Sequence, residues 1–114
     1  MASYKTDRLQ EDIRRELTDI LRLLKDPRIH GMISIVRVEL AKDQSSAKVY
    51  VSSMDGIGGA KEAVEGLKSA AGFVRRELSA RVKMRRSPEL RFIADDSIEY
   101  SAHVDKVLKD LQHE

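Results

Sequence analysis

Residues 69–94 read SAAGFVRRELSARVKMRRSPELRFIA, and the succession of periodicities in this stretch decides the fold. Phe73, Val74, Leu78 and Val82 recur at helical spacing and predict an amphipathic helix. Pro88 disfavours helical geometry at Ser87, and beyond it Leu90, Phe92 and Ala94 alternate as a short strand. Upstream, Ala60, Ala63, Val64 and Leu67 predict another helix that runs almost without interruption into the first. Ala70, Ala71 and Gly72 therefore mark a kink between paired helices, where small residues let backbones come close.

The rest of the chain fits around this unit. Ahead of the helix pair stands the loop DGIGG, and before it Ala47, Val49 and Val51 alternate with Lys48, Tyr50 and Ser52. Val36, Val38 and Leu40 alternate with Arg37 and Glu39 on the other side of a polar turn, so the two runs predict a β-hairpin with one buried face. Pro27 and Gly31 make KDPRIHG a connector, and Leu9, Ile13, Leu17, Ile20, Leu21 and Leu24 place a first helix from about residue 6 to 25. Asp96 and Glu99 resemble a capping box ahead of Val104, Val107, Leu108 and Leu111, which predicts a C-terminal helix. A lone hairpin is unstable in water, so the third strand joins it and the helices cover its apolar face. The expectation is a two-layer α+β domain of order αββααβ plus a C-terminal helix, with a three-stranded sheet and helices packed on one face.

A length of 114 residues suits a single domain over 1–114. The absence of cysteine excludes disulfides and thiolate chemistry, and no stretch approaches the ~18 continuous apolar residues of a membrane span. A cytoplasmic protein without membrane contact is expected. The net charge of +2 conceals a strong asymmetry: residues 72–91 carry seven Lys/Arg against two acids, +5, whereas residues 92–114 carry two against six, −4. Such a concentrated basic segment attracts polyanions, which makes nucleic acid the leading partner class.

Within that segment Arg75, Arg76, Arg81, Lys83, Arg85 and Arg86 crowd the third helix and the turn after it. Helical spacing would bring Arg75, Arg76, Lys83 and Arg86 to one side, a cationic stripe suited to phosphate oxygens because guanidinium offers a planar fork of donors. A solvated helix face is the bland alternative. Gly72 has two readings: it lets the helix backbone approach a sugar-phosphate chain, or it caps the preceding helix in a left-handed conformation. A literal G-x-x-G at Gly56–Gly59 lies between hairpin and helix, where turn flexibility explains it. With 4% aromatics and Tyr50 alone on an outward strand face, no base-stacking platform is expected. Catalysis has little support. His30, His103 and His113 are scattered, Asp95 and Asp96 suit a strand-to-helix cap, and no metal, cofactor or small-molecule substrate is indicated.

Taken jointly, the helix ending in KDPRI, the hairpin ending in AKVYVS, the Ala70-Ala71-Gly72 junction with its basic helix, and PELRFIADDSIE resemble the bacterial ribosome-binding factor A family over essentially the whole chain. The resemblance implies a type II KH-like fold in which an alanine-containing kink replaces the usual glycine loop. It further implies a monomeric, non-enzymatic assembly factor that associates with the free 30S ribosomal subunit and its 16S rRNA and supports late maturation and processing. Some members have an extended C-terminal tail, whereas this sequence stops soon after the expected terminal helix, so the contacts of such a tail are not carried over. On this reading the six cations hold rRNA phosphates. The competing reading is a protein-interaction module that docks a partner through its outer sheet face or terminal helix.

Overall fold

The computed structural model describes residues 2–96, with the backbone alone for residues 2–5. Its elements are α1 (Ala2–Leu21), β1 (Ile33–Leu40), β2 (Ser46–Ser53), α2 (Ile57–Ser69), α3 (Ala71–Arg81) and β3 (Glu89–Ala94), the expected αββααβ order. The expected C-terminal helix, with Val104, Val107, Leu108 and Leu111, lies outside the described residues, as do His103 and His113.

The stripe that predicted α1 is the stripe that packs: Ile13, Leu17 and Ile20 are buried, with Leu9, Leu21 and Leu24 half-buried around them. Full burial of an aliphatic side chain is worth about 1.5–3 kcal/mol, so this face rather than helix propensity holds α1 in place. The helix stops at Leu21, earlier than the expected boundary near residue 25. The amides of Arg22, Leu23 and Leu24 bond carbonyls three residues back, at 3.1, 2.9 and 3.2 Å, which tightens the last turn before Pro27.

In the sheet, β1 pairs antiparallel with β2, and β2 pairs parallel with β3, in the order β1-β2-β3. A parallel neighbour needs a crossover, and α2 with α3 supplies it. Ala47, Val49 and Val51 of β2 point inward against Leu90, Phe92 and Ala94 of β3, as their alternation predicts. The expectation for β1 needs correction. A bulge between Ile35 and Arg37 puts Val36 opposite no residue of β2, so Ile35 and Val38 are buried and Val36 is 37% exposed. Ser52, expected to face solvent, is buried with an unpartnered hydroxyl oxygen.

All three helices cover the same face: α1 lies on β1 and against α3, and α2 lies on β2 and β3. Gln10 of α1 accepts a hydrogen bond from the Leu40 amide at 2.8 Å, fixing the helix to the outer edge of the sheet. Among the described residues no helix is long and apolar enough to cross a membrane.

Candidate nucleic-acid interface

A single residue separates α2 from α3. Ala70 has φ −98° and ψ 12°, well away from the helical ψ near −42°. Its amide still bonds the carbonyls of Gly66 and Leu67, at 3.2 and 3.1 Å, while its own carbonyl accepts from Val74 at 2.9 Å. Ala70 thus closes one helix and opens the next, and the change in ψ supplies the bend. Ala70 and Ala71 are half-buried against the core, where larger side chains would hold the two helices apart.

The kink is braced from below by the KDPRI connector. Asp26 accepts from the Arg28 amide at 2.9 Å and from its guanidinium at 3.0 and 2.7 Å, and the same guanidinium donates to Ser69 at 3.0 Å. These donors hold the Asp26 carboxyl down at about 2, with the side-chain hydrogen bond from Arg28 the largest cause. Gly66 of α2 faces this connector so closely that a Cβ would lie 2.8 Å from Ile29 Cγ1 and 3.3 Å from Asp26 Cγ. Gly66 is therefore a packing glycine.

Gly72 is of another kind. Among the described residues only Gly31, Gly56 and Gln44 have positive φ, so Gly72 is not the left-handed cap that one sequence reading allowed. It sits exposed in the first turn of α3, and a Cβ there would meet only Arg76 Nη1, at an ordinary 3.6 Å. Nothing inside the described fold requires glycine at this position. The G-x-x-G at Gly56–Gly59 has internal reasons instead: Gly56 caps α2 at φ 95°, and a Cβ on Gly59 would lie 2.7 Å from Ser53 Oγ.

The six expected cations divide into three groups. Arg81 is held by carboxylates, with Glu16 of α1 at 3.4 Å and Glu77 one turn back at 3.6 Å. Arg75 is turned onto the backbone of the following loop, donating to the Ser87 carbonyl at 2.6 Å and to Ser87 Oγ at 3.1 Å. Arg76, Lys83, Arg85 and Arg86 are exposed, and among the described residues none of these four has a carboxylate within ion-pairing distance. Arg86 does act on Asp43 through space, adding to the hydrogen bonds from Ser45 that mainly lower the Asp43 carboxyl.

The expected helical stripe is corrected in one respect. α3 ends at Arg81, and Val82 turns extended at φ −120° and ψ 126° while its side chain is buried. Lys83, Arg85 and Arg86 are therefore presented by the loop between α3 and β3, not by helical spacing. Phe73, expected to turn inward, is 37% exposed beside Gly72. Sequence reasoning missed Ser79 and Ser87, whose hydroxyls lie 2.9 Å apart and anchor that loop to α3. It also missed the carboxylates around His30, since Glu62 at 2.9 Å and Asp55 at 4.0 Å come from distant segments. Among the described residues no cluster of three metal-ligating side chains is formed.

This arrangement has close counterparts. The family model described as ribosome-binding factor A matches residues 5–108. A ribosome-binding factor A from Clostridium tetani is 45% identical over 109 residues, covering 95% of this chain and 90% of the relative. The solution structure of a Thermotoga maritima protein described as a ribosome binding factor A superimposes with a TM-score of 0.74 at 37% identity, covering 85% of this chain and 92% of that one. A homology model of the Thermus thermophilus factor, fitted into a cryo-electron-microscopy map of its 30S complex, gives a TM-score of 0.64 at 32% identity over 77% of this chain and 92% of that one. The mixed three-stranded sheet with its kinked helix pair is the KH-like fold shared by these proteins. With a match that spans nearly the whole sequence, the chain belongs to the ribosome-binding factor A family.

Proposed function

We propose that this protein binds the free 30S ribosomal subunit through its 16S rRNA and supports late 30S maturation and 16S rRNA processing, acting by binding and without catalysis. The observation that carries this reading is a set of four cations without carboxylate partners among the described residues, Arg76 on α3 and Lys83, Arg85 and Arg86 on the loop that follows it, beside a helix whose exposed first turn is opened by Gly72. Each element suits a phosphate backbone. Guanidinium groups with no carboxylate in ion-pairing distance among the described residues lose little on meeting phosphate oxygens, and the bare Gly72 backbone lets a sugar-phosphate chain come within van der Waals distance. The scarcity of aromatic residues, 4% of the sequence, favours recognition of backbone and shape over base sequence. Family membership supports the ribosomal partner, since the fitted Thermus thermophilus relative is described in complex with 30S.

Binding of this kind acts by preference. A factor that holds one rRNA arrangement more tightly than another shifts the population toward it, and no covalent step is needed. Arg75 serves here as a positioning residue for the 82–88 loop, and Arg81 ties α3 to α1.

The direct test is co-sedimentation with isolated 30S subunits. Arg76→Glu, Arg85→Glu and Arg86→Glu combined should abolish it while circular dichroism stays unchanged. Survival of co-sedimentation would instead favour docking of a protein partner through the outer sheet face. The salt dependence counts the contacts: four engaged cations give a log-log slope of roughly −3 with the single-strand coefficient, whereas all six give roughly −4.

A further inference from the structure

The loop after α3 does more than carry charge. It folds back to form a pocket of about 360 Å³, open to solvent, at the C-terminal end of α3, lined by Lys83, Arg85 and Arg86. Val82 and Met84 add apolar surface and Ser79 and Ser87 add hydroxyls, and among the described residues no carboxylate lines it. From this geometry we infer that the cavity is a binding site for the phosphate monoester of a nucleotide, at the end of an RNA chain or on a free nucleotide.

The cavity is built rather than incidental. Ser87 Oγ receives hydrogen bonds from Arg75 Nε at 3.1 Å and from Ser79 Oγ at 2.9 Å, while Arg75 Nη2 holds the Ser87 carbonyl at 2.6 Å. Bonded to both Arg75 and Ser79, the Ser87 hydroxyl is held in place on the wall of the pocket. The loop is thereby fixed with two hydroxyls and three cations lining a single space.

Charge and size select the ligand. A phosphate monoester carries about −1.5 to −2 at pH 7, whereas an internal phosphodiester carries a single charge, so three cations lining one pocket favour the monoester. The volume exceeds what a phosphate alone fills and lies within the ~300–1,000 Å³ range of small-ligand sites, leaving room for a sugar or base against Met84 and Val82. Asp43, whose carboxyl Arg86 helps to lower through space, competes for one of the three cations.

This inference rests on the phosphate-binding role proposed for the same cations, and its test separates the two. Fluorescence anisotropy on the full chain would compare short single-stranded oligoribonucleotides that end in a phosphate or in a hydroxyl, with calorimetric titration of adenosine monophosphate and adenosine alongside. The terminal phosphate should tighten binding on the order of tenfold, which is about 1.4 kcal/mol. Arg85→Gln with Arg86→Gln should erase that increment. Arg76→Gln, outside the cavity, should weaken both oligoribonucleotides alike and preserve their ratio. Equal affinity for the two ends, together with no binding of adenosine monophosphate, overturns the cavity site and leaves backbone binding standing. Binding of adenosine monophosphate with no preference between ends assigns the cavity to free nucleotides. If neither oligoribonucleotide binds, the backbone reading falls, and the cavity site survives only if adenosine monophosphate still binds.

Discussion

Replacing Gly72 by alanine should make the protein more stable and a worse binder of rRNA at once. The added methyl group has only Arg76 Nη1 within 4 Å, at a relaxed 3.6 Å, and the residue does not have positive φ, so alanine meets neither clash nor strain. Alanine at a compatible helical position gains about 0.4–1 kcal/mol, largely by reducing the freedom of the unfolded chain. With an unfolding entropy of roughly 2.1 cal/mol/K per residue over about a hundred residues, that gain raises Tm by about 2–5 °C. The same methyl group occupies the space through which a phosphate chain would approach the α3 backbone. Loss of that approach should weaken binding to 30S rRNA on the order of tenfold, about 1.4 kcal/mol. Thermal melts followed by circular dichroism and filter binding to isolated 30S subunits measure the two effects separately. A higher Tm with unchanged affinity would refute the close approach of RNA at Gly72; a lower Tm would refute the description of this turn as open and unstrained.

Gly66→Ala should behave in the opposite sense, because its methyl group would be driven to 2.8 Å from Ile29 Cγ1; overpacking of about 1–3 kcal/mol should outweigh the gain in helix propensity and lower Tm. Arg81→Ala should change rRNA affinity by less than about twofold and stability by at most about 1 kcal/mol, as its guanidinium is already shared between Glu16 and Glu77 at the surface. Arg85→Ala or Arg86→Ala in the same filter-binding assay should each cost severalfold in affinity, and equal effects from all three would undo the division of the cations. For pH, the Asp26 carboxyl is depressed in the folded protein from 3.8 to about 2 by its hydrogen bonds to Arg28. Its contribution to stability is therefore fully present above about pH 4 and is lost as pH falls through about 2. A carbon-detected NMR titration of Asp26 should show that low midpoint, and Arg28→Gln should return it toward the ordinary carboxylate range.

Much of the fold was legible because it is encoded at short range. The stripe from Leu9 to Leu24, the alternation of Ala47, Val49 and Val51, and the run Leu90, Phe92 and Ala94 each name a buried face through a local period, and each packs as that period requires. The junction at Ala70 was visible for the same reason, as two helical patterns meet there with no linker. Where a local pattern was ambiguous, the outcome turned on neighbours. Val36 looked like a core residue of β1 until the pairing with β2 inserted a bulge beside Ile35, and Phe73 looked inward until packing left it at the surface.

By itself, then, the sequence determined the order of elements, the kinked helix pair and the concentration of positive charge between residues 72 and 91. Only the tertiary structure decided which of those charges remain available. Glu16 meets Arg81 from 65 residues away, and the bonds from Arg75 and Ser79 to Ser87 shape the loop that presents Lys83, Arg85 and Arg86. Hydrophobic periodicity is written along the chain and survives in a one-dimensional reading. The pairing of a charge depends on distances between segments, which do not exist until the helices have docked on the sheet.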